Sequence, residues 1–278
     1  MTHNPHHSAP ALDEGLVAEL RRLAAVETVL VALDFDGTLA PLVDVPADAR
    51  ALPAVVDQLV ALQRLPGVTI AFVSGRSLAS LDAVVPPEVT AAMVGSHGLE
   101  VRAVLGEPVT AIDPDEQARI ETVLNAVAPA VSAVTGAWIE HKPAGFAVHT
   151  RLVDGEPATD LQRRVRELIA TRDATMTVRE GKNVIEFAVR DATKADGLRA
   201  LRTSLNPDAV LFAGDDLTDE DALAALAASD LGIKVGSAPT IASWRVRDPA
   251  ELARALAEFV TARSSAGTQG ERGPHIVR

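Results

Sequence analysis

The stretch Val29 to Pro41, VLVALDFDGTLAP, limits what this chain can fold into more than any other. Its first five residues are apolar, with no polar alternation, and the run stops at Asp34, Asp36, Gly37 and Thr38. An unbroken, partly β-branched apolar run suits a central strand of a parallel sheet, covered on both faces. Open sheets of this kind bind ligands in the crevice outside the carboxyl ends of their strands, which is where Asp34 and Asp36 fall. Two carboxylates this close repel unless a cation or a proton lies between them. The structural alternative is an Asp-x-Asp-Gly turn that only ends the strand.

Further apolar runs at Val68–Val73, Ala91–Val94, Val210–Ala213 and Leu231–Val235 read as strands. Amphipathic stretches at Leu52–Leu65, Lys194–Leu205, Asp219–Ala228 and Pro249–Ala262 read as helices. Strand and helix in alternation predict an α/β fold with a doubly wound, Rossmann-like parallel sheet. The middle differs. WIEHKPAGFAVHTR and TMTVREGKNVIEFAV read as hairpins about Pro-Ala-Gly and Glu-Gly-Lys turns, separated by helical runs at Asp115–Ala128 and Pro157–Thr171. An inserted α+β domain is expected over residues 103–189, within a core domain made of residues 11–102 and 190–262. Residues 1–10 and 263–278 carry no apolar period and are expected to be disordered tails. No internal repeat is visible.

The composition narrows the function. At 278 residues and 47% hydrophobic, each of two domains has material for a core. The first ten residues lack the basic start and apolar centre of a signal peptide, and no apolar run of membrane-spanning length is present; a soluble, cytoplasmic protein is the expectation. Zero cysteines exclude disulfides, cysteine-ligated zinc and thiol catalysis. A net charge of -12 argues against nucleic acid or an anionic membrane as partner. Aromatics at 3%, with no tyrosine, argue against base-stacking platforms. An anionic ligand must therefore meet a local positive site, and of 26 basic residues only Lys142, Lys182, Lys194 and Lys234 are lysine. A compact point charge is what lysine offers over arginine.

Hard carboxylate oxygens at Asp34 and Asp36 suit Mg²⁺. One aspartate can then attack phosphorus while the other moves the leaving group's proton. VSGRS ends the next strand with the hydroxyl of Ser74 and exposed N–H groups, good donors to a phosphoryl oxygen. FAGDDLTDED gathers Asp215, Asp216, Asp219, Glu220 and Asp221 at a strand-to-helix turn. Helix capping accounts for Asp219 to Asp221 but not for Asp215. Lys194 begins a helical run and can neutralise charge among these acids. In the insert, Glu140 with Lys142, His149 with Arg151, and Lys182 with Glu186 are spaced to project from one face of their strands. Such a face can hydrogen-bond sugar hydroxyls; a solvated sheet face is the alternative. His97 in GSHGLE is either a core residue or a substrate contact, and Arg76 either pairs with an acid or touches phosphate.

The order Asp-x-Asp-Gly-Thr, Ser, Lys, Gly-Asp-Asp-x-x-Asp resembles the haloacid dehalogenase-like phosphatases, from about Thr28 to Val260. The resemblance implies a haloacid dehalogenase core with an inserted cap. It implies Asp34 as nucleophile, Asp36 as general acid/base, and Ser74 and Lys194 on the phosphate. Mg²⁺ would be held by Asp34, the Asp36 carbonyl and Asp215, with Asp219 nearby. DFDGTLAP, SGR, GSHGLE, EHKPAGFAVHTR, GKNVIE and GDDLTDED are similar to the marks of trehalose-6-phosphate phosphatases. That finer likeness implies hydrolysis of trehalose 6-phosphate, the last step of trehalose biosynthesis. Glu140, Lys142 and Glu186 would bind trehalose, with His149, Arg151 and Asn183 as further candidates. One departure is that the third-motif lysine, which the family usually follows with glycine, is here followed by Ala195, Asp196 and Gly197. Another sugar phosphatase of the superfamily, or a phosphosugar mutase, fits the same core. A non-catalytic relative would not need all four motifs, and a metal-nucleotide glycosyltransferase would not explain the downstream lysine and acids. A small sugar phosphate is the expected partner; the oligomeric state is open, and a monomer is compatible.

Overall fold

The computed structural model describes residues 11–104, 109–110, 113–181 and 183–270. Lys182 and both outermost termini lie outside these. In chain order the first part comprises α1 (Glu14–Ala24), β1 (Val29–Leu33), α2 (Pro53–Leu62), β2 (Val68–Val73), α3 (Leu78–Asp82), β3 (Ala92–Gly95), β4 (Glu100–Arg102) and β5 (Val109–Thr110). The middle comprises α4 (Pro114–Ser132), β6 (Trp138–Lys142), β7 (Gly145–His149), α5 (Glu156–Arg172), β8 (Thr177–Gly181) and β9 (Val184–Ala188). The last part comprises α6 (Lys194–Leu205), β10 (Ala209–Gly214), α7 (Asp219–Ala224), β11 (Leu231–Val235), β12 (Trp244–Val246) and α8 (Pro249–Gly270).

The large sheet has the order β12-β11-β10-β1-β2-β3-β4-β5, parallel from β12 to β3 and antiparallel over its last two strands. The strand order reverses at β1, so the crevice expected of a doubly wound sheet opens at its carboxyl end. Every residue of β1 is buried, and alternate residues serve different layers. Val29, Val31 and Leu33 pack with α1, α2 and α8, whereas Leu30 and Ala32 pack with α6 and α7. This two-sided burial is why the strand shows no polar alternation.

The smaller sheet, β6-β7-β9-β8, is antiparallel throughout. One face carries Phe146, Val148, Ile185 and Phe187 into a separate core against Ile120, Val123 and Val127 of α4 and Leu161, Val165 and Ile169 of α5. The other face carries Trp138, Glu140, Lys142, His149 and Glu186, as the period-two spacing predicts.

Several boundaries differ from those read in the sequence. The separate packing unit starts at α4 and not at residue 103, because β5 still pairs with β4 on the edge of the large sheet. Helix α4 runs through Pro129 to Ser132, past the expected end at Ala128. Helix α7 stops at Ala224, short of Ala228, since the Ala227 N–H donates to the Asp230 carboxylate at 2.7 Å and the chain turns there. The expected tail from residue 263 is instead the continuation of α8 to Gly270. Arg263 fixes it by donating to the carbonyls of Ala24, Val26, Glu27 and Pro66.

Gly145 lets β7 lie closely against β9: a Cβ there would stand 1.8 Å from the Phe187 carbonyl oxygen. Overpacking that backbone cannot yield around is destabilising. Gly145→Ala should lower stability by about 3 kcal/mol, read from denaturant unfolding; an unchanged midpoint would contradict this packing.

Candidate active site

Four chain segments converge at the carboxyl end of β1. The Asp34 N–H donates to the Ala213 carbonyl at 2.9 Å, extending the β1–β10 pairing one residue and fixing the start of the acidic turn. Gly37 takes a left-handed φ of 79°, and a Cβ there would meet the Asp215 carboxylate at 2.1 Å. Glycine is thus required twice, for the turn and for the approach of β10's end. The buried Thr38 hydroxyl lies 3.2 Å from both Asp34 Oδ2 and Asp215 Oδ1, tying the two carboxylates into one group.

Lys194 is the first residue of α6, behind a capping box formed by Thr193 and Asp196. Its side chain is 2% exposed, and Nζ donates to Asp34 Oδ1 at 2.8 Å and Asp219 Oδ1 at 2.7 Å, with Asp216 at 3.6 Å. The absent glycine after the lysine is without consequence here, because Gly197 makes the close approach. A Cβ on it would sit 2.3 Å from Val94. The carboxylates outnumber the lysine. Burial pushes Asp34 up to about 6, against the pull of Lys194. Burial and the Asp219 and Asp216 charges push Asp215 to about 6. Burial and the Asp34 charge push Asp219 to about 8. For Asp216 burial acts upward too, but Lys194 and the hydrogen bonds from Asp219 and Thr218 bring it down to about 2. Burial opposes the charge on Lys194, yet Asp34 and Asp219 hold it firmly protonated.

Ser74 follows β2, buried, and its hydroxyl accepts from the Arg76 N–H at 3.2 Å. The neighbouring turn is unusual: Ser96 and His97 both take positive φ, 48° and 56°, and the His97 N–H donates to the Ser74 carbonyl at 3.1 Å. Glu100 holds that turn by accepting from the Ser96 hydroxyl at 2.8 Å and the Leu78 N–H at 3.1 Å. The His97 ring packs on Gly75, where a Cβ would be 2.6 Å from it, and faces the cavity. Burial, then the Lys194 charge, lower His97 to about 4, so it is neutral near pH 7. Arg76 pairs with an acid. Its guanidinium grips Asp36 through Nε at 2.5 Å and a terminal nitrogen at 2.6 Å, and also donates to Ser80 and the Pro46 carbonyl.

The smaller sheet completes the enclosure. A cavity of about 420 Å³ is lined on the large-sheet side by Asp34, Asp36, Ser74, Arg76, His97, Lys194 and Asp216. Glu140, Lys142 and Arg151 line it from the other side. Lys142 reaches across β7 to Glu186 at 3.1 Å, over the small residues Gly145 and Ala147. His149 Nε2 lies 2.8 Å from Glu140 Oε2, and that hydrogen bond holds Glu140 below the ordinary carboxylate range. Arg151 donates to the Asp44 carbonyl at 2.8 Å, joining the two units. Asn183 occupies a left-handed turn position, φ 60°, where its carbonyl accepts from the Thr150 N–H at 2.9 Å; it is not among the cavity-lining residues. A second depression, about 430 Å³ at the opposite end of the strands, has Arg263 as its basic group, already committed to carbonyls.

Sequence reasoning did not find Leu42, Val43 and Pro46, which also line the cavity. Apolar residues between prolines read only as a connection. It also left Lys234 without a role. That buried amine donates to the Asp216 carbonyl and to Glu220, both at 2.9 Å, and so braces the acidic loop from beneath.

A metal fits these residues. Asp34, Asp215 and Asp219 each present an oxygen within 4.8 Å of the others, all hard donors, in a place where burial and then neighbouring carboxylates already disfavour their charge.

Comparison with known proteins gives a consistent result. The trehalose-phosphatase family model matches residues 32–253. The bifunctional trehalose-6-phosphate synthase/phosphatase of Thermoproteus tenax is 32% identical over 226 residues, covering 79% of this chain but 30% of that protein. The trehalose-6-phosphate phosphatase of Escherichia coli is 30% identical over 217 residues, covering 77% of this chain and 79% of the relative. Among solved structures, the C-terminal domain of the C. albicans trehalose-6-phosphate phosphatase overlays with a TM-score of 0.69 at 22% identity, covering 92% of this chain and 99% of that one. A haloacid dehalogenase-like hydrolase from B. subtilis shares the fold at a TM-score of 0.55 and 16% identity, over 82% of this chain and 98% of that one. Matched from β1 into α8, across both sheets, this chain belongs to the trehalose-phosphatase family.

Proposed function

We propose that the chain is a Mg²⁺-dependent phosphatase that hydrolyses trehalose 6-phosphate to trehalose and phosphate through an aspartyl-phosphate on Asp34. The observation that carries this reading is the cavity itself. A buried lysine–carboxylate centre at one end and a charged sheet face at the other support it. The enzyme is taken to be soluble and cytoplasmic; no described helix is long and apolar enough to cross a membrane.

In this mechanism an Asp34 oxygen forms a bond to phosphorus as the bond from phosphorus to the sugar O6 breaks. Asp36 gives its proton to the departing O6. In the second half Asp36 takes a proton from water, water oxygen bonds to phosphorus, and Asp34 is released. Lys194 and the Ser74 hydroxyl hold phosphoryl oxygens. Arg76 occupies one acceptor site on each Asp36 oxygen and leaves the remaining sites for proton transfer. Asp34, Asp215 and the Asp36 carbonyl would hold Mg²⁺, with Asp219 beside them. Bound there, the cation would offset the charge of phosphate and carboxylates. Glu140, Lys142 and Glu186 bind sugar hydroxyls from the cap, and Arg151 and His149 support that face.

Phosphate release from purified protein tests this. Trehalose 6-phosphate should be hydrolysed faster than glucose 6-phosphate, with activity lost in excess chelator and restored by Mg²⁺. A preference for the monosaccharide would favour another sugar phosphatase, and transfer without net phosphate release would favour a mutase.

The role of Asp36 has a separate signature. An alkoxide needs protonation to leave and a nitrophenolate does not, and kcat/KM reports only steps through the first phosphoryl transfer. Asp36→Asn should therefore lower kcat/KM for trehalose 6-phosphate by roughly 10²- to 10⁴-fold, with a much smaller loss on p-nitrophenyl phosphate. Equal losses on both would remove Asp36 from that role.

A further inference from the structure

The chain has two tryptophans. Trp244 is spent on packing: its ring covers Gly15 of α1 so closely that a Cβ there would lie 2.3 Å away. Trp138 is different. It opens β6 on the same face as Glu140 and Lys142, the two residues through which this strand lines the cavity, and the residue remains 39% exposed.

Its geometry is constrained from behind. His149 is its direct cross-strand partner, and the two rings stack with centroids 4.6 Å apart and planes 3° from parallel. The His149 ring is in turn fixed by Glu140 at 2.8 Å. One face of the indole is thus covered and oriented by a chain of contacts that ends on a cavity-lining carboxylate. An aromatic ring held this way offers its remaining surface as a flat, rigid, apolar wall on a face that is otherwise charged.

Position along the strand says what that wall meets. The phosphoryl end of the cavity lies at Asp34, Ser74 and Lys194; Lys142 adjoins the turn whose Ala144 packs with Leu99 and Ala192, and Glu140 and then Trp138 follow along the strand away from that turn. Trp138 is one same-face step beyond Glu140, about 7 Å along the strand, the scale of one pyranose ring. A sugar directly esterified to phosphate would occupy the zone of Lys142 and Glu140. The ring linked to it would arrive at Trp138. The C–H faces of a pyranose suit the negative face of an aromatic quadrupole, whereas a second set of charges would offer no shape selection.

We propose that Trp138, backed by His149, is a specificity-determining residue that stacks on the sugar ring distal to the phosphate, so that the site selects phosphorylated disaccharides over phosphorylated monosaccharides. This rests on the phosphatase reading above. The full-length protein tests it in two ways. In Trp244→Phe protein, Trp138 is the sole tryptophan, and its emission should shift on addition of trehalose but not of glucose at equal concentration. In turnover, Trp138→Ala should raise KM for trehalose 6-phosphate about tenfold with kcat nearly kept, cutting the selectivity over glucose 6-phosphate by the same factor, and Trp138→Phe should restore most of it. An unmoved emission, a KM within twofold of wild type, or an equal loss on both sugar phosphates would overturn the stacking role. Failure of the wild type to release phosphate from trehalose 6-phosphate overturns the phosphatase reading and this assignment with it.

Discussion

The architecture of the site depends on one buried contact set, Lys194 between Asp34 and Asp219. A lysine at 2% side-chain exposure is tolerable only because two carboxylates lie within hydrogen-bond distance. Removing one partner of such a set typically costs about 3–5 kcal/mol, since the remaining charge is left uncompensated. The set spans chain-distant segments, so strands β1 and β10 and helix α6 must all arrive together. Close backbone approaches make that possible. Gly37 admits Asp215, Gly214 admits Asp219, whose carboxyl carbon would stand 2.2 Å from a Cβ there, and Gly197 admits β3. The geometry of the site and the fold are therefore built from the same contacts.

The two packing units divide the chemistry. The large sheet supplies a centre whose carboxylates outnumber its lysine, a place that gains from a cation. The smaller sheet has its own apolar core on one side and turns its charged, aromatic-edged face toward the cavity. Among the described residues the contacts that cross between them include Arg151 to the Asp44 carbonyl and Ala144 against Leu99. The loop that carries Asp44 is also held by Arg76, the residue that grips Asp36. The position of the smaller sheet and the orientation of the Asp36 carboxylate thus share a loop.

Much of this was readable from residue order. The apolar run before Asp34, the strand-end hydroxyl at Ser74 and the acids after β10 follow from local rules of strand burial and turn chemistry, and all lie where those rules put them. Period-two spacing placed Glu140 and Lys142 on one face and Glu186 beside them. What sequence alone did not supply were meetings between distant segments. Nothing local to Arg76 says that its partner is Asp36, forty positions away, and nothing in WIEH or FAVH says that Trp138 stacks on His149. Boundaries moved for the same reason: α8 continues to Gly270 because Arg263 finds carbonyls at the foot of β1 and β2, a tertiary contact with no local signal. Asn183 shows the converse case. The family resemblance alone makes it a candidate for binding, and the structure places it at a left-handed turn position.

The most direct measurement is to trap the covalent intermediate. Protein mixed with radiolabelled trehalose 6-phosphate and Mg²⁺, quenched in acid within one turnover and digested, should carry phosphate on the peptide containing Asp34, and Asp34→Asn protein should carry none. Rapid turnover with no label on that peptide, or label retained in the Asp34→Asn protein, would contradict Asp34 as the nucleophile and with it the reading of the site as a phosphoryl-transfer centre organised around Lys194.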